Sequence, residues 1–338
     1  MKQQFYAVRH TDAMVAHKSS SGGAFSAIAE SWFSRYGENA VVYGCILDEQ
    51  LNAKHIRAVM LQQTYAMRGS KYINSAMPGV MRQVLRDLED NRKVVFTGTP
   101  CQIAGLISFL KVQRCDFGDN LLTVEVICHG VGSTRYFKDY IAELEKRYRC
   151  RATACSFRGK KRLGKRQQMV VGFENGKEYV SVSSKCDDFL SAYSRNYIIR
   201  PSCFRCPFTT MERQADITIG DYWAEVKKSI HPCTLLMVNT SLGKAWIRNS
   251  EMLLLCERIT QTQADQPQLH RPTEKPADYD NFWTVYRESG YKQALIYLGN
   301  ADFLGNVRKV LAIIAYHLRV KELVLLISCC LHNNRGKK

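Results

Sequence analysis

The sequence has 338 residues, of which 46% are hydrophobic and 23% are charged, and this composition excludes a largely disordered chain. Lysine and arginine total 48 against 31 aspartates and glutamates, which gives a formal net charge of +17. The positive field favours an anionic partner, but charge alone does not choose among nucleic acid, an anionic membrane, a phosphate-bearing cofactor and an acidic protein. The length predicts about two domains.

Thirteen cysteines are many for a chain of this length, and their number is odd. The first residues lack the apolar core of a secretory signal peptide. No segment reaches the ~18 consecutive apolar residues of a membrane-spanning helix. We therefore expect a cytoplasmic protein without an integral membrane span. In a reducing compartment, clustered cysteines indicate metal or redox chemistry more often than disulfide bonds.

The first part of the chain predicts a strand, a helix and two further strands. Residues 5–9 form the first apolar run, and residues 24–33 have helical periodicity that ends near Gly37. Residues 41–47 have the continuous apolar pattern of a buried strand. Residues 55–60 alternate, as a neighbouring strand would.

Helices and strands then alternate, which indicates an α/β core with parallel pairing. The predicted helices cover residues 80–90, 102–111 and 134–148, and the predicted strands cover residues 93–97 and 121–127. In such cores the functional loops lie at the carboxyl ends of the strands. Cys101 and Cys128 both fall at such ends.

From about residue 155 the pattern changes to strands and turns, with a hairpin signal at residues 175–176. Residues 215–223 predict a strand and a loop, and residues 235–239 predict another strand before helical periodicity resumes. Residues 303–331 predict two short amphipathic helices. The predicted fold class is therefore α/β, with α+β elements in the middle of the chain, a mixed sheet and a helical C-terminal extension.

The sharpest local motif is the pair Cys203 and Cys206, spaced as Cys-x-x-Cys and followed by Pro207. This spacing directs two thiolates at one point, as a zinc ion or a cluster iron requires. One pair is half a site, and no second Cys-x-x-Cys completes a zinc ribbon. Cys101 and Cys128 are the candidates for the other ligands. The motif alone leaves an iron–sulfur cluster, a zinc site, a redox dithiol and a structural role open.

Two polar loops are candidates for cofactor binding. Residues 19–23 are rich in serine and glycine and precede a helix, whose N-terminus suits a phosphate; a plain capped turn is the alternative. Residues 69–75 offer a cation, hydroxyls and an aromatic ring, which suit a nucleotide or an isoalloxazine. His129 is the candidate catalytic residue, as a proton donor, with a turn residue as the alternative. Asp216 or Asp221 either orients a ligand or ends a strand.

Six motifs, taken in order, resemble the beta subunits of coenzyme F420 hydrogenases and dehydrogenases. The resemblance extends from about residue 5 to about residue 245. The motifs are SSGGAF (20–25), RGSKY (68–72), TGTPCQI (97–103), ICHGV (127–131), SCFRC (202–206) and ADITIGDYW (215–223).

The resemblance implies an oxidoreductase that binds FAD and a [4Fe-4S] cluster. Such a protein passes electrons between the cluster and a small hydride-carrying substrate, either the deazaflavin F420 or another. The cluster ligands that it implies are Cys101, Cys128, Cys203 and Cys206. With the two polar loops, the candidate flavin site consists of Ser20, Ser21, Gly22, Gly23, Gly69, Ser70, Lys71, Tyr72, Ser75, Thr97, Gly98 and Thr99.

The sequence departs from these relatives in two respects. Many relatives carry an N-terminal ferredoxin-like region, whereas this chain begins at the flavin segment, so we expect an external ferredoxin-like carrier. An acidic carrier suits a net charge of +17. Relatives usually have glycine where Ala224 stands and a Gly-x-Ser turn where residues 229–234 stand, so the substrate pocket is expected to differ. Bacterial relatives without F420 exist, and some of them are associated with surface-polysaccharide genes. Surface-polysaccharide biosynthesis is therefore one of the processes in which we expect this protein to act.

The predicted organisation has three parts: an N-terminal flavin-binding subdomain (1–95), a domain similar to the C-terminal domain of these beta subunits with the cluster ligands (96–245), and a helical extension (246–338). The alternative function is a non-catalytic module that zinc stabilises and that binds an anionic partner. Nucleic-acid binding is not expected, because no recognition helix or aromatic-basic motif is found.

Overall fold

The computed structural model describes residues 2–161, 168–226, 230–250 and 252–299, together with Val307 and Leu311. Apart from these two positions, the amphipathic helices predicted over residues 303–331 lie outside the described residues.

The described strands form an eight-stranded mixed sheet and a three-stranded sheet. The strands are β1 (Gln4–His10), β2 (Ala40–Leu47), β3 (Ala53–Ala58), β4 (Lys93–Gly98), β5 (Leu121–Val126), β6 (Ala152–Gly159), β7 (Gln168–Phe173), β8 (Glu178–Val180), β9 (Ile217–Asp221), β10 (Thr234–Val238) and β11 (Leu254–Ile259). The order in the large sheet is β11-β1-β10-β9-β5-β4-β2-β3. Strands β2, β4, β5 and β9 are parallel to one another, and the remaining pairs are antiparallel.

Helices cover both faces of the large sheet. The helices are α1 (Ala13–Lys18), α2 (Ala24–Tyr36), α3 (Val80–Glu89), α4 (Pro100–Val112), α5 (Thr134–Tyr148), α6 (Asp188–Ser194), α7 (Ser241–Arg248), α8 (Gln261–Ala264) and α9 (Tyr279–Tyr297). Because side chains alternate along a strand, Val95 of β4 packs with α2 and α7 on one face. Its neighbours Val94 and Phe96 pack with α3 and α4 on the other face.

A second hydrophobic core joins the three-stranded sheet β6-β7-β8 to α5, α6 and α9. It is rich in aromatic rings, and Tyr136, Phe157 and Phe189 are fully buried in it. The hairpin signal at residues 175–176 lies between β7 and β8, where Gly176 has a φ of 75° that favours glycine.

The predicted fold class is confirmed: the protein is α/β, with a mixed sheet, a smaller sheet in the middle of the chain and a helix in the C-terminal part. The division into segments 1–95, 96–245 and 246–338 stays a prediction. The large sheet takes strands from all three segments, since β1 lies between β10 and β11. Among the described residues, no helix is long and apolar enough to cross a membrane.

Candidate functional site

A cavity of about 950 Å³ lies where the parallel strands β4, β5 and β9 end. In α/β sheets, ligands bind at this edge, outside the carboxyl ends of the strands. All the predicted site residues line the cavity except Gly22, which lies in the loop beside it. Those residues are Ser20, Ser21, Gly23, Gly69, Ser70, Lys71, Tyr72, Ser75, Thr97, Gly98, Thr99, Cys101, Cys128, His129, Cys203 and Cys206.

Cys101 stands in the first turn of α4, directly after β4. Thr99 and Gln102 form a capping box that starts this helix, and Pro100 occupies its first position. The Thr99 hydroxyl lies 3.2 Å from the Cys101 sulfur. The thiol is exposed.

Cys128 follows β5 in a loop that makes a close approach to the Cys203 segment. Gly130 has a φ of 125°, and a Cβ there would lie 2.8 Å from Ile199 Cγ2. The Gly130 backbone N–H donates to the Cys128 sulfur. The Arg200 backbone N–H donates to the carbonyl of the loop at position 131, at 2.9 Å. The glycine and this hydrogen bond therefore bring two cysteine-bearing segments together.

Cys203 lies on a short 3-10 helix, Pro201–Arg205, and Cys206 follows directly at its C-terminal end. The segment after them is tied to the large sheet by Arg213, whose guanidinium pairs with the buried carboxylate of Glu125 on β5. Arg213 also donates to the carbonyl oxygen of Phe208, at 3.0 Å. Both charged groups are almost completely buried.

The four predicted ligand cysteines influence one another electrostatically. Burial, and then the neighbouring thiols of Cys203, Cys101 and Cys206, raise the pKa of Cys128 to about 12. Burial and two of the same neighbours also raise the pKa of Cys206, which Arg213 opposes. Within the described part of the chain, no group of three or more histidine, cysteine or acidic side chains surrounds a single metal-ion position. The four thiols therefore line the same cavity, but they do not surround one metal-ion position.

The first polar loop packs against β1 and β10. A Cβ on Gly22 would lie 2.3 Å from the carbonyl oxygen of Val8, so only glycine fits there. Gly23 is the N-cap of α2, with a φ of 95° and no side chain to cap the helix. The Ser20 hydroxyl accepts a hydrogen bond from the Ser70 backbone N–H at 2.9 Å. The two polar loops are thereby joined, and the N-terminus of α2 faces the cavity.

The Lys71 side chain caps the C-terminal end of a 3-10 helix. Its ammonium donates to the carbonyl oxygens of Ala66, Met67 and Arg68 at 3.1, 2.9 and 2.9 Å, at the end of the 3-10 helix Leu61–Met67. Burial lowers the pKa of this ammonium to about 8. The side chain lines the cavity, but its hydrogen bonds are to the protein backbone.

Tyr72 stacks on Tyr193 with the ring centroids 4.6 Å apart. Its hydroxyl hydrogen-bonds to Arg158, which pairs with both carboxylate oxygens of Asp221 at 2.9 and 2.7 Å. Asp221 also accepts a hydrogen bond from the Ser21 hydroxyl. Of the two predicted aspartates, Asp221 therefore lies on the cavity wall, whereas Asp216 accepts hydrogen bonds from Thr123 away from it.

His55 is a site residue that the sequence did not reveal. It lies on β3, 6% exposed, with its ring stacked on Phe96. Its Nε2 lies 2.9 Å from the Thr97 carbonyl oxygen and its Nδ1 lies 2.7 Å from the Ser75 hydroxyl. Because a carbonyl only accepts, Nε2 carries the proton and Nδ1 accepts from Ser75. Burial lowers the pKa of His55, which favours this neutral form.

His129 is held between two amides. Its Nε2 lies 2.9 Å from Asn196 Oδ1, and its Nδ1 lies 3.2 Å from Gln268 Nε2. In this pairing Nε2 donates to the Asn196 oxygen and Nδ1 accepts from the Gln268 amide. The Thr273 hydroxyl donates to the His129 carbonyl oxygen. The ring lines the cavity, and its role as a proton donor stays a prediction.

Sequence reasoning also did not find Arg213, Glu125, Arg158 or the exposed ring of Trp223, all of which lie on the cavity wall or contact it. Arg213 and Glu125 are 88 residues apart, so no local spacing links them. The one available signal was Glu125 itself, a carboxylate inside an apolar strand that is buried on both faces.

Residues 91–261 match a family model for the C-terminal region of the beta subunit of coenzyme F420 hydrogenase/dehydrogenase. The chain belongs to this family. This match confirms the resemblance and assigns an oxidoreductase family. The matched residues include β4, β5 and β9, which end at the cavity, and all four candidate cluster ligands.

The fold is similar to that of a chain in the F420-reducing [NiFe] hydrogenase complex from Methanosarcina barkeri, solved as a xenon derivative. The two chains are 14% identical, with a TM-score of 0.52, and the alignment covers 89% of this chain and 92% of that one. At this identity the likeness supports the fold. Among proteins with curated functions, none matches this chain.

Proposed function

We propose that this member of the F420 hydrogenase/dehydrogenase beta subunit family is an FAD- and [4Fe-4S]-dependent oxidoreductase that acts on a small hydride-carrying substrate. The observation that carries the proposal is a cavity lined both by the candidate flavin loops and by Cys101, Cys128, Cys203 and Cys206. A flavin and a cluster held by these residues would share one cavity, which would allow direct electron exchange between them.

The chemistry of the four thiols supports a cluster. Cys128, Cys203 and Cys206 are partly buried and Cys101 is exposed, and each would carry a negative charge as a ligand. Arg213 is the cation that opposes the raised pKa of Cys206, and it is already paired with Glu125. Iron would supply the missing positive charge. Since each iron of a [4Fe-4S] cluster takes one cysteine, the four ligands of a cluster need not surround a single ion position, and the described residues hold no such position.

The two polar loops support a dinucleotide cofactor. The N-terminus of α2 has no side-chain cap and faces the cavity, so its free N–H groups suit a pyrophosphate. Lys71 and Arg68 line the same region and add positive charge. A volume of about 950 Å³ lies at the upper end of the range for ligand pockets, as a large cofactor requires.

A bound flavin supplies two-electron hydride chemistry, and a bound cluster supplies single-electron transfer. The protein's own residues would hold these groups in place. The Gly130 and Phe208 backbone N–H groups donate to the sulfurs of Cys128 and Cys206, which would stabilise the thiolates and tune the potential of a bound cluster. His129 is placed to hold or move a proton at its Nε2, provided that Asn196 releases it.

The test is metal and cofactor analysis after anaerobic purification. We expect about four iron atoms and one FAD per chain, with no stoichiometric zinc. Cys203→Ser should remove the iron and retain part of the flavin. Cys115→Ser is the matched control, since Cys115 is also partly buried but does not line the cavity. Protein that holds neither iron nor flavin would overturn the proposal, and one zinc per chain without colour would favour the zinc-stabilised module.

For the electron partner we propose an acidic carrier of the ferredoxin type. Cys101 is exposed, and Arg200 and Arg205 are exposed on either side of Cys203. These positive groups suit an acidic surface and would speed its approach. If so, the rate of reduction by such a carrier should fall as salt concentration rises.

A further inference from the structure

Four side chains that can exchange protons lie together on one wall of the cavity. They are Cys45, His55, Lys71 and Ser75, and all four line the cavity. Cys45 on β2 stands directly opposite His55 on β3 in the antiparallel register, so both side chains project from the same face of the sheet. This wall therefore combines a thiol, an imidazole, an amine and a hydroxyl group.

The Ser75 hydroxyl connects the side chains of the two strands. It donates to His55 Nδ1 at 2.7 Å, and it also hydrogen-bonds to the Cys45 thiol. His55 Nε2 donates to the Thr97 carbonyl oxygen at 2.9 Å, which fixes the ring. Hydroxyl and thiol groups both donate and accept, so Cys45 and Ser75 can pass a proton between them while His55 holds the Ser75 hydroxyl in place.

Lys71 stands at the outer end of this line of side chains. Its ammonium donates to three carbonyl oxygens, one of which belongs to the exposed residue Ala66. The ammonium also lies within electrostatic range of Cys45 and His55. Burial lowers the pKa of Lys71 to about 8, so the amine can gain and lose a proton close to neutral pH.

The charges around Lys71 favour a proton on Lys71 itself. The adjacent Arg68 is paired with Glu30 on α2, at 3.7 Å. In the described part of the chain, the titratable groups that face Lys71 are Cys45 on β2 and His55 on β3. Burial raises the pKa of Cys45 and lowers that of His55, so both are neutral at neutral pH. A proton that enters this wall is therefore most stable on Lys71.

The proposed reaction leaves a proton in the cavity. A hydride carries two electrons and one proton, whereas a cluster and a ferredoxin-type carrier take one electron at a time. When two carrier molecules have each taken one electron, one proton remains for every hydride. The carboxylate of Asp221, which also lines the cavity, is paired with Arg158. Another group has to take this proton to solvent.

We propose that Ser75, Cys45 and Lys71 form a proton exit from the cavity, and that His55 is its positioning residue. The Lys71 ammonium first releases a proton to water at its outer end. The neutral amine then takes the Cys45 proton, the thiolate takes a proton from Ser75, and Ser75 takes the proton left in the cavity. One proton enters and one leaves, so the protein is unchanged after each hydride. This assignment deepens the proposed function and rests on it.

The experiment follows flavin oxidation and proton release in the same stopped-flow mixing. Reduced holoprotein is mixed anaerobically with ferricyanide, a one-electron oxidant, in weak buffer that contains a pH indicator dye. Wild type is compared with Lys71→Arg, Cys45→Ala and Cys45→Ser. Arginine keeps the positive charge and the donors of the helix cap, but it does not release its proton. Lys54→Met and Cys150→Ala are the matched controls, because neither residue lines the cavity.

We expect wild type to release its proton as fast as the flavin is oxidised. Lys71→Arg should slow proton release about a hundredfold, as the loss of an acid–base group does. Cys45→Ala should also slow it, and Cys45→Ser should restore most of the rate because a hydroxyl can pass a proton. The wild-type rate should rise with pH through about pH 8, since only the neutral amine accepts a proton. This rise should be absent in Lys71→Arg, and both controls should behave as wild type.

A second measurement does not depend on the cofactors. Acetic anhydride labels neutral amines, and mass spectrometry of protein labelled from pH 6 to pH 10 gives the pKa of each lysine. Labelling of Lys71 should be half-maximal near pH 8. Lys54, whose side chain is 44% exposed, is the internal control, and we expect its labelling to be half-maximal near the ordinary lysine value of about 10.4.

The proposal is overturned if Lys71→Arg or Cys45→Ala retains its iron and flavin and releases protons as fast as wild type. It is also overturned if Lys71 titrates as Lys54 does, and this result decides the case where a variant loses its flavin. Wild-type protein without flavin would instead contradict the proposed function, and the labelling would still report the pKa of Lys71.

Discussion

The two ends of the cavity are held together by different forces. The cysteine end, formed by the segments that carry Cys101, Cys128, Cys203 and Cys206, depends on the buried ion pair between Arg213 and Glu125 and on the close approach at Gly130. The loop end, formed by residues 19–23 and 68–76, depends on neutral hydrogen bonds such as Ser20 to Ser70 and His55 to Ser75.

The two ends differ in how far the protein's own side chains satisfy one another. At the loop end, the hydroxyl and imidazole groups are paired and Lys71 has three backbone acceptors, and the N-terminus of α2 is left without a side-chain cap. At the cysteine end, burial and neighbouring thiols raise the pKa of Cys128 and Cys206, so the thiolates of a bound cluster would require positive charge from that group. We therefore expect substitutions at the cysteine end to have the larger effects.

The largest expected effect is that of Arg213→Met. It leaves the carboxylate of Glu125 buried without its cation, which should reduce the free energy of unfolding by about 3–5 kcal/mol. Urea denaturation checks this. The double variant Arg213→Met, Glu125→Gln should recover much of the loss, because the uncompensated charge is then gone. A single variant as stable as wild type would show that the cysteine end does not depend on this pair.

The next effect is that of Gly130→Ala. The added Cβ meets Ile199 at 2.8 Å and forces a side chain to a φ of 125°, so we expect about 2–3 kcal/mol of destabilisation and loss of at least half of the bound iron. Gly79→Ala separates the two causes, since φ there is 72° with nothing within 4 Å of the new Cβ. It should keep its iron. Equal iron loss in both variants would contradict the role given to the close approach.

The third prediction concerns pH and the loop end. Burial lowers the pKa of His55, so below about pH 6.5 the unfolded chain binds a proton that the folded protein resists. Stability from this residue is fully present above that pH and declines as pH falls, with a slope of at most about 1.4 kcal/mol per pH unit. Denaturation midpoints measured from pH 5 to pH 8 should show a shallower decline for His55→Gln than for wild type.

The smallest effect is that of Ser20→Ala. It removes the neutral hydrogen bonds to Ser70, which should lower the free energy of unfolding by about 1 kcal/mol and weaken flavin affinity about fivefold. Flavin fluorescence during dilution measures the affinity. The exposed Ser241 lies away from the cavity, and Ser241→Ala should behave as wild type. Equal flavin affinity in both variants would remove Ser20 from the flavin site.

Much of the fold could be predicted because its signals are local. The helix predicted over residues 134–148 is α5, Thr134–Tyr148, since its apolar periodicity and its cap lie within the helix itself. Strand β11, Leu254–Ile259, has a burial pattern that alternates poorly, and its partner β1 lies almost at the other end of the chain. It was not predicted, because its pairing is set by that distant partner.

The residues of the candidate site also differ in whether a local sequence pattern predicts them. Cys101 and Cys128 could be picked from the sequence because each follows an apolar strand beside glycine or proline, and sheet topology then places both at one edge. The sequence identified Lys71 as a candidate cation of the site, but it did not predict that Lys71 caps a 3-10 helix. His55 could not be picked, because its role depends on hydrogen bonds to residues 20 and 42 positions away.

The sequence by itself determined the alternation of helices and strands from residue 80 to residue 148, the Cys-x-x-Cys pair and the motifs that identify the family. These features depend on residues within about one helix or one strand of each other. Only the tertiary structure decided that the two polar loops and the four cysteines line one cavity, that Arg213 is paired with Glu125, and that the Trp223 side chain, which also lines the cavity, remains exposed. The physical reason is that burial and pairing of a charge or a ring are set by partners far along the chain, which no local pattern specifies.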